Sequence, residues 1–91
     1  MQQVSQPDPE ALVRVELQAD EKRPSYLVTV EAGSRGRIWS QSGLKMSDGS
    51  TIVLWLPGEI LRAGSYELLL HSGEPRKAEL LAAYVFRVAQ R

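Results

Sequence analysis

Alternation at a period of two runs through segment after segment of this chain, and no stretch sustains the period of an amphipathic helix. Successive side chains on a strand point to opposite faces, so such alternation marks a strand with one dry and one wet face. Val13, Val15 and Leu17 alternate with Arg14, Glu16 and Gln18. In "SYLVTVEA", Tyr26, Val28 and Val30 share a face; in "TIVLWLP", Ile52, Leu54 and Leu56 point one way and Val53 and Trp55 the other. "RIWSQ" sets Ile38 and Trp39 on opposite faces, and "SYELLLHS" turns Tyr66, Leu68 and Leu70 inward.

Between these segments lie turn signals. "ADEKRPS" carries Pro24, which cannot donate to a ladder; "GSRGR" offers two glycines for a tight reversal; Asp48-Gly49 precedes the "TIVLWLP" strand, which Pro57 ends. Six strands so spaced predict an all-β fold, a sandwich or small barrel. The C-terminal stretch "PRKAELLAAYVFRVAQR" is the ambiguous one. Its Ala, Leu, Glu and Lys neighbourhood suits a helix and hence an α+β fold, whereas Tyr84, Val85, Phe86 and Val88 suit a strand. The strand is the expectation, with Tyr84, Phe86 and Val88 inward. The predicted core is Val13, Val15, Val28, Val30, Ile52, Leu54, Leu56, Tyr66, Leu68, Leu70, Tyr84, Phe86 and Val88.

At 91 residues the chain has room for one modest core. Residues 1–10, "MQQVSQPDPE", read as a flexible polar lead or linker, and residues 11–91 as the β-sandwich domain. Eleven basic and eleven acidic side chains balance. No long-range field then draws in phosphate backbones or anionic lipid, and nucleic acid is not an expected partner. No run approaches the roughly 18 to 20 apolar residues that span a bilayer as a helix, so direct membrane insertion of this segment is not expected either.

Catalytic and metal chemistry finds little to work with. There is no cysteine, and His71 is the one histidine, expected to face solvent from its strand. Glu59, Glu67, Glu74 and Glu79 lie in polar or outward positions where a solvated carboxylate is the ordinary state. "GSRGR" lacks the lysine-hydroxyl pair of a phosphate loop and leads into a strand, so a hairpin turn accounts for it. Lys22-Arg23 and Arg76-Lys77 are short basic pairs flanked by acids, read as loop charges. No enzyme activity, cofactor or metal is expected.

The segment "EILRAGSYELLL" places Leu61, Gly64 and Tyr66 where a chain passes from one sheet to the other. A phenol at such a corner can bond back to an upstream carbonyl while its ring fills the core; Leu61 would plug the sandwich bottom and Gly64 supply a positive φ. "GEILRAG" itself is long enough for a single turn. Of the two tryptophans, Trp39 is expected in the core. Trp55 is expected on the opposite face from Ile52, Leu54 and Leu56, where it is the candidate ligand-facing residue.

With "RIWSQSGL" upstream and "AAYVFRV" downstream, "LPGEILRAGSYELLL" resembles an immunoglobulin-like or fibronectin type III-like module. Such modules occur as the C-terminal extracytoplasmic domain of some bacterial membrane-anchored proteins, including zinc-finger anti-sigma factors. The resemblance covers roughly residues 11 to 90 and rests on Trp39, Leu44, Leu54, Leu56, Pro57, Leu61, Gly64, Tyr66, Leu68, Tyr84, Phe86 and Val88, all structural. It implies an immunoglobulin-like antiparallel sandwich of six or seven strands. It further implies a non-catalytic interaction or sensory role toward a protein partner, in a periplasmic or extracytoplasmic tail of a longer regulator. A carbohydrate-binding module using Trp55 is the alternative.

Overall fold

A computed structural model describes residues 2–20, 22–47, 50–73 and 79–90. These residues include seven strands: β1 (Gln2–Ser5), β2 (Leu12–Gln18), β3 (Tyr26–Glu31), β4 (Arg37–Leu44), β5 (Thr51–Pro57), β6 (Gly64–Ser72) and β7 (Leu80–Ala89). Five of them form one sheet in the order β1-β7-β6-β3-β4, and β2 and β5 form a second. Every pairing is antiparallel except β1 with β7, which is parallel. The protein is therefore an all-β sandwich, and its C-terminal segment is a strand.

The alternation seen in the sequence sets which faces meet. Val28, Val30, Leu68 and Leu70 of the large sheet are buried against Ile52, Leu54 and Leu56 of the small one, with Tyr26, Leu17, Leu44, Leu61, Tyr66 and Val88 completing the core. Val13, Val15, Phe86 and Trp39 are half-buried and pack against that cluster. Trp39 stands opposite inward-facing Val30 in the β3–β4 ladder, so the indole lies on the core side. β4 runs on through Gly43 to Leu44, further than "RIWSQ" alone suggests. The β3–β4 connection is a single 3-10 turn, Gly33–Arg35. Asp48-Gly49, Glu74 and Arg76-Lys77 lie outside the described residues.

Three expectations change. Tyr84 was expected in the core and is 36% exposed. It sits opposite Leu68 on the inward face of β7, but the second sheet is two strands wide and does not reach across it. His71 is half-buried rather than turned to solvent, lying in register between Leu27 and Leu80, with its Nδ1 buried and without a hydrogen-bond partner among the described residues.

The third concerns the polar lead. Gln2–Ser5 is a strand in register with Phe86 to Ala89, and Gln6 N–H continues the pairing to the Ala89 carbonyl at 2.9 Å. Residues 6–11 are tied down as well. The Asp8 carboxylate accepts from Glu10 N–H at 3.0 Å, the turn closes through Ala11 N–H to Asp8 O, and Gly58 N–H donates to Ala11 O at 2.8 Å. Gly58 is a glycine because the lead presses on it: a Cβ there would lie 2.1 Å from the Asp8 carbonyl oxygen.

Candidate functional site

The corner singled out in the sequence assembles from β6 and the turn before it. Pro57 ends β5, Gly58–Ile60 makes one 3-10 turn, and Leu61 drops into the core. Gly64 opens β6 at φ 148°. Two residues on, the Tyr66 hydroxyl donates to Arg62 O at 2.5 Å, with Ile60 O at 3.3 Å as a second acceptor. Its ring stacks on Phe86, centroids 5.3 Å apart. Arg35, from the distant β3–β4 turn, donates to the same hydroxyl at 3.1 Å and places its guanidinium over the ring. The arrangement ties the crossover before β6 to the β3–β4 turn.

Trp55 is half exposed on the outer face of the small sheet. Its cross-strand neighbour is Arg14, which makes an ion pair with Glu16 on the same face. Trp55 is the one aromatic among the outward residues of β2 and β5, so it offers a single ring rather than a platform.

The feature with the strongest geometry is one the sequence did not disclose: a groove of about 690 Å³ beside β2. Its wall is the edge of β2, and its floor is the part of β7 and β1 that extends past the small sheet, including Val4, Tyr84 and Phe86. Antiparallel ladders alternate, so each residue of an edge strand turns its main-chain N–H and C=O either to its neighbour or away from it. Ala19 N–H bonds to Ser50 O, and Gly58 N–H bonds to Ala11 O. In that register, which pairs Val13 with Leu56 and Leu17 with Ile52, the odd-numbered residues of β2 serve β5. The even-numbered ones, Leu12, Arg14, Glu16 and Gln18, face the open side of β2, where Arg14, Glu16 and Gln18 line the groove. The Tyr84 hydroxyl bears this out by donating to Gln18 O at 3.3 Å, which closes one end of the groove.

No group of three or more His, Cys, Asp or Glu among the described residues is placed to hold a metal ion. Arg23 pairs with Glu79 at 3.3 Å across the sandwich end, an exposed contact between loops. Among the described residues no helix is long and apolar enough to cross a membrane. Comparison with family models, curated proteins and solved structures finds no match to this chain. Its function must be argued from the molecule.

Proposed function

We propose that this protein is a non-catalytic, immunoglobulin-like interaction module that receives a protein partner. The observation that carries this is the groove beside β2, where a row of main-chain donors and acceptors with no strand partner among the described residues adjoins the exposed apolar surface of β7. Native folds generally blunt or cover such edges, because an open one templates pairing with another chain. The small sheet's other edge is blunted: Pro57 lies at one end, and Ser47 N–H bonds to Thr51 O near the other.

The half-exposed Trp55 favours a second reading, a carbohydrate-binding surface, since one face of an indole can stack on a sugar ring. Titration with a panel of oligosaccharides, followed by tryptophan fluorescence, separates the two. The interaction module gives no saturable quenching. Saturable quenching that disappears in Trp55→Ala replaces it with the sugar reader.

We place the module outside the cytoplasm, as the tail of a bacterial membrane-anchored regulator of anti-sigma type. The resemblance around the tyrosine corner and the absence of cysteine support this placement. The polar lead adds nothing to it, because Gln2–Ser5 belongs to the sheet. A hydrophobic stretch of about 20 residues encoded upstream, behind a His/Cys cluster, is the expected finding in the gene.

A further inference from the structure

We infer that the groove beside β2 is a strand-acceptor site whose occupant is an extended partner segment, antiparallel to β2, with apolar residues alternating with one basic and then one acidic residue. This deepens the interaction role proposed above and rests on it.

The main-chain groups of Leu12, Arg14 and Glu16 point out from the open side of β2 at the two-residue spacing that an incoming strand offers. A strand paired there continues the small sheet and lies over Val4, Tyr84 and Phe86, the part of the large sheet that β2 leaves uncovered. Residues directly opposite one another in an antiparallel pair project from the same face. Partner residues opposite Val13, Val15 and Leu17 thus enter the groove and should be apolar. Those opposite Arg14 and Glu16 stand on the outer face, where charge decides: acidic against Arg14, basic against Glu16. Read from its N-terminus, the partner segment is apolar, Lys or Arg, apolar, Asp or Glu, apolar. A parallel strand would meet the same two charges in the reverse order.

A folded second copy does not fit, although β2 itself, "VRVEL", has the required order. Edge-to-edge antiparallel pairing of two β2 strands places a twofold axis perpendicular to the sheet. The projecting β7 and β1 of each copy would then occupy the space beneath the other's β2. A lone extended segment meets no such obstacle. The outer edge strand β4, by contrast, carries the exposed polar residues Arg37, Ser40, Gln41 and Ser42.

The test is titration of the full chain with two synthetic peptides, Thr-Val-Lys-Val-Glu-Val-Thr and its charge-reversed form Thr-Val-Glu-Val-Lys-Val-Thr, read by calorimetry and by amide hydrogen exchange. The first should bind more tightly, by about fivefold to tenfold for two cross-strand charge pairs exchanged from attractive to repulsive. It should slow exchange at Leu12, Arg14 and Glu16. The double variant Arg14→Glu, Glu16→Arg should invert the preference. Glu16→Pro removes a groove-facing N–H while sparing the ladder to β5, a position that tolerates proline. It should abolish binding with an unchanged circular dichroism spectrum. If circular dichroism shows this variant unfolded, the charge inversion and the exchange pattern decide. Tighter binding of the reversed peptide overturns the inferred direction. Protection confined to another edge overturns the site while leaving the interaction role intact. Absence of binding by both peptides at millimolar concentration, or a dimer of the chain alone in sedimentation, overturns the inferred occupant. The oligosaccharide titration independently decides between the protein and sugar readings.

Discussion

Replacing Tyr66 by Phe deletes one oxygen from the sandwich and nothing else. That oxygen donates to Arg62 O at 2.5 Å, has Ile60 O at 3.3 Å, and accepts from Arg35 at 3.1 Å. A hydroxyl has one proton, so the short bond to Arg62 carries most of the effect, about 0.5 to 1.5 kcal/mol net. Losing the acceptor for a partly solvated guanidinium adds a smaller amount. The total is about 1 to 2 kcal/mol, because the ring and its stack on Phe86 survive. Tyr66→Leu also loses the aromatic pair, worth about a further 0.5 to 1.5 kcal/mol. The assay is equilibrium urea unfolding. With m near 1 kcal/mol/M for a domain of this size, the Phe variant should lower the midpoint by about 1 to 2 M at unchanged m. A loss under about 0.3 kcal/mol for Tyr66→Phe would refute the corner as a hydrogen-bonded lock and reduce Tyr66 to a packed ring.

Other substitutions test neighbouring parts of the account. Gly64→Ala meets no atom within 4 Å, so its cost of about 1 to 3 kcal/mol in the same assay comes from the backbone at φ 148° alone. Leu68→Ala, at a residue 2% exposed, should cost about 2 to 5 kcal/mol by denaturant unfolding; under half a kilocalorie would contradict its burial. Gly58→Ala forces its Cβ onto the Asp8 carbonyl and should loosen residues 6–11, seen as faster proteolysis there than in the parent chain. Trp55→Ala should change stability by less than about 1 kcal/mol, since half of the side chain is already in water.

How much of this was legible depended on how local each cause is. The strands β2, β3, β5 and β6 follow from alternation among adjacent residues, and so does the outward face of Trp55. Tyr84 was assigned to the correct face, but alternation says nothing about the width of the opposing sheet, and a two-stranded sheet leaves that face partly open. β1 is four residues long and mostly polar, and its partner β7 lies at the far end of the chain, so nothing nearby signals it. Arg35 reaches Tyr66 across 31 residues, a contact that chain reversal at β3–β4 creates and no motif announces. The groove is of the same kind. It arises from which strand is missing beside β2, and a pattern of residues cannot show a missing neighbour.

The open edge of β2 is tested most directly by amide hydrogen exchange on the protein alone, resolved residue by residue along Leu12–Gln18. Val13, Val15 and Leu17 bond to β5 and should exchange slowly, while Leu12, Arg14 and Glu16 face the open side of β2 and should exchange fast. A fast-slow alternation along the strand is the expected result. Uniform protection of all seven amides would mean that the edge is already covered, and would contradict the account.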